Sequence, residues 1–167
     1  MADDSTRTGF LTDEELKKGP GIPSQTRRRK GAVATLECLE DIPCNPCEAS
    51  CKYDAITVGG DITTPPVLTE DNCVGCRSCL PICPGQAIFI IDESLPEDKA
   101  AIEMPYEYRP VPEKGETVIA LDRAGQPIGE ATVTAVKQTK KMDQTVTIII
   151  EVPREWSMRA RAIRLKR

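Results

Sequence analysis

Eight cysteines in two runs are the residues through which this sequence could do chemistry. The runs are Cys73-x2-Cys76-x2-Cys79-x3-Cys83, followed by Pro84, and Cys38-x5-Cys44-x2-Cys47-x3-Cys51. Three closely spaced thiolates can wrap one corner of a [4Fe-4S] cubane, and a remote fourth thiolate can close its far side. The spacing therefore predicts that the chain binds iron–sulfur clusters.

Three other uses of the cysteines fit the sequence less well. An even cysteine count can form a disulfide framework, but MADDSTRTGF shows no apolar segment of a secretion signal, and reducing compartments disfavour disulfides. Structural zinc sites pair two CxxC units around one ion, and three successive cysteines do not divide into such pairs. A radical-SAM site needs Cys-x3-Cys-x2-Cys, an order that no three cysteines show here.

Residues 32–91 resemble the bacterial ferredoxins that hold two [4Fe-4S] clusters. The second half of this region has the full cysteine spacing, Gly75 within the loop and Pro84 after the last cysteine. The resemblance implies that the fourth cysteine of each run binds the other cluster. It assigns one cluster to Cys73, Cys76, Cys79 and Cys51, and the other to Cys38, Cys44, Cys47 and Cys83.

The first cysteine run departs from the ferredoxin pattern at two positions. Asp41 stands where the family has its first ligand, three residues after Cys38, and Lys52 replaces the proline that follows the fourth cysteine. We expect Cys38 to bind through an enlarged loop. The alternative is that Asp41, or no residue, completes this cluster at its fourth iron.

Charge is distributed unevenly along the chain. Residues 31–104 carry 3 basic and 13 acidic side chains, whereas residues 1–30 have a net charge of +2 and residues 105–167 of +4. An acidic module favours docking to a basic partner surface, and a solvated acidic surface explains the bias equally well. The basic run 27–30 is either an arm for an acidic partner or a solvated hinge. It is too short and lacks the interleaved aromatics expected for nucleic-acid binding.

Other features limit the function classes. The chain has no histidine, which removes the commonest general base and excludes a Rieske centre. We assign no catalytic residue. The sequence has no apolar run of 18 or more residues, so we expect no membrane insertion and a cytoplasmic location.

We expect an α+β fold in which a ferredoxin-like dicluster (βαβ)2 domain at 31–95 precedes a small all-β domain at 113–167. A basic extension at 1–30 and a proline-rich linker at 96–112 complete the chain. In the extension, Thr12 and Glu15 form a capping-box pattern that predicts a helical turn. Within the ferredoxin region we expect strands at 32–37, 55–58, 67–68 and 87–91, with short helices at 45–53 and 75–82.

The C-terminal region is predicted to be SH3-like or a partial barrel. Strands are expected at 117–121, 128–137 and 145–152, followed by a final strand or, alternatively, a helix over 154–166. The module is expected to dock a partner through Arg159, Arg161 and Arg164, or else to cover the ferredoxin core as a lid.

The predicted function is the relay of single electrons through the two clusters. The extra flanks favour an electron-transfer subunit of a multi-subunit oxidoreductase over a free soluble ferredoxin with an appended β domain. The arrangement is similar to small ferredoxin-type subunits that accompany flavin-dependent amino-acid or hydroxyproline dehydrogenases in anaerobes, which implies a flavoprotein partner. A third hypothesis, catalysis at an open iron near Asp41, has no base or nucleophile to support it.

Overall fold

The computed structural model of the protein describes residues 7–39, 41–142 and 144–166. Its helices are short: α1 at Asp13–Lys18, α2 at Gln25–Arg28 and α3 at Pro46–Ser50. The strands are β1 Val33–Leu36, β2 Ile56–Thr57, β3 Val67–Leu68, β4 Ile88–Asp92, β5 Lys99–Tyr106, β6 Thr117–Leu121, β7 Pro127–Lys137, β8 Val146–Pro153 and β9 Ala162–Leu165. No helix in the described part of the chain is long and apolar enough to span a membrane.

The strands form one large antiparallel sheet and one small hairpin-like pair. The large sheet has the order β1-β4-β5-β8-β7-β6-β9, and β2 pairs with β3 separately. The first and last strands of the cysteine region are neighbours, with Val33 opposite Ile91 and Leu36 opposite Ile88. In the sequence, the first cysteine run lies between β1 and β2, and the second lies between β3 and β4.

Strand β4 separates two apolar cores because side chains alternate between the faces of a strand. Ile88 and Ile90 pack with Leu36, Leu80 and several cysteines in what we call the cysteine core. Phe89, between them, packs on the opposite face in the β core, which β5 to β9 supply. One strand thus forms a wall of both cores.

The range predicted as a proline-rich linker contains a full strand, which corrects that expectation. Strand β5 pairs with β8 at each position from Lys99 to Tyr106 and with β4 from Ala101 to Glu103. Alternating apolar residues of β5 are buried in the β core: Ala100, Ile102, Met104 and Tyr106. This period-two pattern outweighed the prolines. Pro105 lies beyond the segment paired with β4, a position where a strand tolerates proline.

Other local predictions have mixed outcomes. The capping box at Thr12 is confirmed, since its hydroxyl accepts a hydrogen bond from the Glu15 N–H and the Glu15 carboxylate accepts one from the Thr12 N–H. The helix predicted over 75–82 is wrong, because turns occupy 78–82. The helix over 154–166 does not form: a 3-10 turn at Arg154–Trp156 precedes β9. The division into two domains stays a prediction.

The basic run 27–30 contacts the protein itself through its first two residues. The Arg27 guanidinium donates hydrogen bonds to the carbonyl oxygens of Glu70, Gly31, Ala32 and Cys73. Arg28 forms an ion pair with buried Glu93 at 2.6 Å, and the Ser157 hydroxyl donates to the same carboxylate oxygen at 2.7 Å. Arg27 and Arg28 are therefore structural residues, and the hypothesis of a free basic arm is wrong for them.

Candidate iron–sulfur site

The first cavity of the cysteine core, here called cavity A, is lined by cysteines from both runs. They are Cys51, Cys73, Cys76 and Cys79. Cys51 ends α3, and Cys73 ends a 3-10 turn at Glu70–Asn72. Chain elements that are distant in sequence thus bring one thiol of the first run to three thiols of the second.

The second cavity, cavity B, shows the reciprocal arrangement. Its cysteines are Cys38, Cys44, Cys47 and Cys83. Cys47 lies within α3, whose first residue is Pro46, a favourable position for proline because the first helical N–H has no partner within the helix. The two cavities therefore group the eight cysteines as the ferredoxin resemblance implies.

Asp41 does not line cavity B. Its side chain is exposed, whereas Cys38 is half-buried and forms part of the cavity wall. The structure thus places Cys38 with the other three cysteines of the predicted set and leaves the candidate carboxylate outside it.

Gly75 allows the loop of cavity A to approach β1 closely. Its φ is +67°, a conformation that side chains other than hydrogen rarely adopt. A Cβ at this position would lie 2.5 Å from the carbonyl oxygen of Ala32. The loop geometry therefore requires glycine for two independent reasons.

Hydrogen-bond donors surround the sulfurs of cavity A. The backbone N–H of Ala34 donates to the Cys73 Sγ and that of Ala55 to the Cys51 Sγ, each at 3.4 Å. The Ser78 Oγ lies 3.5 Å from the Cys76 Sγ. Such donors stabilise negative charge on sulfur and so raise the reduction potential of a bound cluster.

The cysteine pKa values reflect the crowding of thiols. Burial, together with the neighbouring thiols of Cys73, Cys76 and Cys51, raises the pKa of Cys79 to about 12. Burial raises the pKa of Cys47 to about 11, with smaller contributions from nearby Cys83, Cys44 and Cys38. Several thiolates so close together need a counter-charge, which bound iron supplies, so cluster assembly should release protons.

Exposed Cys76 differs from these buried thiols. Burial alone would raise its pKa, but hydrogen bonds from Ser78 and the charge of Arg77 outweigh that effect and lower it. This thiol is the cysteine that is most open to solvent. A cluster held in cavity A would therefore approach the surface at Cys76.

A buried carboxylate anchors the chain next to cavity B. Glu37 directly precedes Cys38, and its oxygens accept hydrogen bonds from Arg123 at 2.5 and 2.8 Å and from Arg161 at 2.8 Å. Burial opposes ionisation of Glu37, but the two arginines outweigh it and lower the pKa of the carboxyl. Arg161 also lies over the Phe89 ring, 4.8 Å from its centroid.

This contact overturns one part of the predicted docking face. Arg161 is 8% exposed and holds Glu37, while Arg159 and Arg164 are exposed. An arginine that is committed to a buried ion pair has no free charge to offer a partner. Arg161 therefore joins the β core to the cysteine region.

A second buried carboxylate anchors the loop of cavity A. Glu103, on β5, accepts hydrogen bonds from Arg77 at 2.6 Å, from Lys137 at 3.0 Å and from the Thr147 hydroxyl at 2.9 Å. Arg77 lies between Cys76 and Ser78 and has a φ of +72°. The sequence reasoning missed both Glu37 and Glu103, because an acidic residue on a strand carries no signal of the distant arginine that will pair with it.

The donor set of each cavity fits a [4Fe-4S] cubane, since four thiolates are its usual ligands. The remaining walls are mainly apolar, including Ile90 and Ile56 in cavity A and Ile88 in cavity B. Among the described residues, no group of three His, Cys, Asp or Glu side chains converges on one point to hold a single metal ion.

Comparison with known proteins adds independent support for the second cysteine run. Residues 66–89 match the family described as 4Fe-4S binding domain. The matched range contains Cys73, Cys76, Cys79 and Cys83. The chain has no significant match among curated proteins, and none among solved structures. The chain therefore carries an iron–sulfur region of ferredoxin type at residues 66–89.

Proposed function

We propose that the protein transfers single electrons through two [4Fe-4S] clusters. One cluster is bound by Cys51, Cys73, Cys76 and Cys79, and the other by Cys38, Cys44, Cys47 and Cys83. The observation that carries this proposal is the grouping of the cysteines into two cavities of four, each with three thiols from one run and one from the other.

The position of the cavities suits a relay. Ile88 lines cavity B and Ile90 lines cavity A, and both side chains project from the same face of β4. Residues two apart on a strand are about 7 Å apart. Clusters held in the two cavities would be neighbours along one strand, so one can accept an electron that the other passes on.

Metal and sulfide analysis tests this function directly. Protein purified without oxygen should contain about eight irons and eight sulfides per chain. After reduction, its EPR spectrum should show two interacting paramagnetic centres. Zinc in place of iron, or about four irons per chain, would contradict the proposal.

We further propose that the protein works as a subunit of a multi-subunit oxidoreductase, with a flavin-dependent dehydrogenase as its flavoprotein partner. Large apolar side chains are exposed where they line the cavities: Val74 at 56% and Tyr53 at 48% on cavity A, and Ile42 at 50% on cavity B. Apolar residues gathered around a functional site are typical of an interface that a partner covers. The reducing cytoplasm, which keeps thiols free, is part of this proposal.

A free soluble ferredoxin is the second candidate. The contacts of Arg27, Arg28 and Arg161 support it, because these residues, once expected to serve docking, stabilise the protein itself. Native purification under anaerobic conditions separates the candidates. If a flavoprotein stays bound through gel filtration in about the same molar amount as this chain, the result supports an oxidoreductase subunit. If the chain elutes as a monomer that retains its iron, the result supports a free ferredoxin.

A further inference from the structure

A groove beside cavity A gathers positive charge within an otherwise acidic region. Residues 31–104 contain only three basic side chains, those of Lys52, Arg77 and Lys99. Lys52 and Arg77 both line this groove, together with the exposed Cys76. Lys99 lies elsewhere, where it forms ion pairs with Glu97 and Glu151.

The C-terminal region adds a further cation to the groove. Lys137, on β7, lines it and is held 3.0 Å from Glu103. Glu103 is the groove's acidic residue and is buried, with 4% of its side chain exposed, whereas the side chains of Arg77 and Lys137 are 41% and 39% exposed. Among the described side chains that line the groove, and apart from Cys76 as a cluster ligand, three cations stand against one carboxylate, and the cations are the groups that face solvent.

Cavity B offers no comparable feature. The described residues of its wall are four cysteines together with Ile42, Pro46, Thr64, Pro66, Pro84 and Ile88, none of which carries a fixed charge. Of the two candidate clusters, the one in cavity A thus has both an exposed ligand, Cys76, and a cationic surface beside it.

We propose that the groove formed by Lys52, Arg77 and Lys137 docks a carboxylate-rich patch on the surface of the redox partner protein. The inference rests on the proposed function, because it concerns the site where electrons leave or enter cavity A. The net charge of the region predicts a basic partner instead. At physiological ionic strength, however, charges further than about 8 Å from the contact are screened, so the local cations dominate there.

Two small, inert oxidants, one an anion and one a cation, report the sign of the electrostatic potential at the groove. The reduced, fully loaded protein is mixed with the anion cobalt(III)–EDTA or with the cation hexaamminecobalt(III), and each cobalt(III) takes one electron from a reduced cluster. Between about 10 and 200 mM salt, the rate with the anion should fall by about threefold or more, since attraction is screened. A rate that rises with salt for the anion and falls for the cation would overturn the docking site.

A matched pair of variants tests the groove with a protein acceptor. Lys52→Glu changes the groove, and Lys114→Glu makes the same substitution at an exposed lysine that does not line it. The acceptor is oxidised flavodoxin, an acidic flavoprotein whose flavin takes one electron and one proton from solvent. Lys52→Glu should lower the rate by about threefold or more, and Lys114→Glu should leave it within about 1.5-fold. Equal effects of the two variants would contradict the proposal.

Iron content and the EPR spectrum distinguish a failure of the proposed function from a failure of the proposed docking site. A wild-type protein without [4Fe-4S] signals contradicts the proposed function and the docking site together. Intact signals with the wrong salt dependence contradict the docking site alone. If Lys52→Glu loses iron, the salt dependence of the wild-type protein decides the question by itself.

Discussion

Each of the two cavities gathers four cysteines, but the surroundings of these cysteines differ. Cavity A includes Arg77 and Ser78 in its wall, and two backbone N–H groups donate to its sulfurs. Besides its cysteines, the described wall of cavity B has three prolines, two isoleucines and Thr64 but no charged side chain, and the backbone N–H of Glu48 donates to the Cys47 sulfur. Hydrogen bonds to sulfur and nearby positive charge raise a cluster's potential, whereas apolar burial lowers it. The comparison teaches that one repeated cysteine motif can have two different surroundings. For the clusters proposed in cavities A and B, here called cluster A and cluster B, we expect the reduction potential of cluster B to be the more negative.

The anchors of the two cavities also differ in burial. Glu37 beside cavity B pairs with Arg161 and Arg123, whose side chains are 4% and 10% exposed. Glu103 behind cavity A pairs with cations that are about 40% exposed. Loss of the Glu37 carboxylate leaves its arginines as buried charges without a counter-charge. Loss of the Glu103 carboxylate leaves cations that water can solvate.

The largest effect should come from removing residues 98–167, because both anchors depend on them. The shortened chain keeps all eight cysteines. It loses the partners of Glu37, and it exposes Phe89, which packs against the β core. We expect it to lose iron from both cavities and to aggregate. Iron analysis after anaerobic expression measures this. Full iron content in a soluble fragment would show that the cysteine region folds alone.

A single added methyl group should distinguish the cavities. Gly75→Ala places a Cβ against the backbone of Ala32 at a positive φ and should abolish cluster A while leaving cluster B. Gly85→Ala is the matched control, since its Cβ would meet nothing within 4 Å. EPR of the reduced variants reads out each cluster. Normal spectra from Gly75→Ala would show that the loop does not require this conformation.

The two carboxylate anchors should differ in energy. Glu37→Gln leaves Arg161 buried without its counter-charge and should lower the free energy of unfolding by about 3 kcal/mol or more. Glu103→Gln should cost about 1 kcal/mol, because its cationic partners are partly solvated. Anaerobic denaturant unfolding of the loaded protein compares them. Equal losses of unfolding free energy in the two variants would contradict the conclusion that the more deeply buried ion pairs of Glu37 contribute more.

The smallest effect should be a change in the reduction potential of one cluster. Ser78→Ala removes the hydroxyl near the Cys76 sulfur. A hydrogen bond worth about 0.5–1 kcal/mol corresponds to about 20–40 mV for one electron, so the potential of cluster A should fall by that amount. A redox titration followed by EPR measures both centres, and cluster B serves as the internal control. A shift confined to cluster B would mean that the cavities are wrongly assigned.

Local features of the fold were predictable where the evidence lies close together in sequence. The resemblance to two-cluster ferredoxins implied the crossed grouping of the cysteines that line each cavity, and strand 117–121 was predicted with its observed limits. Strand β5 was missed because four prolines in the range 96–112 suggested a linker, although only Pro105 lies within the strand and its apolar residues alternate. The pairings of Glu37 with Arg161 and of Glu103 with Arg77 join residues far apart in the chain. No local pattern signals such contacts, so only the fold could show them.

Crossed ligation is the central claim, and paired cysteine variants test it most directly. Cys51→Ala and Cys83→Ala each remove the last cysteine of one run. EPR of the reduced proteins should show that Cys51→Ala disturbs the cluster of Cys73, Cys76 and Cys79, and that Cys83→Ala disturbs the cluster of Cys38, Cys44 and Cys47. If each variant instead disturbs only the cluster of its own run, the two cavities are not the binding sites proposed here.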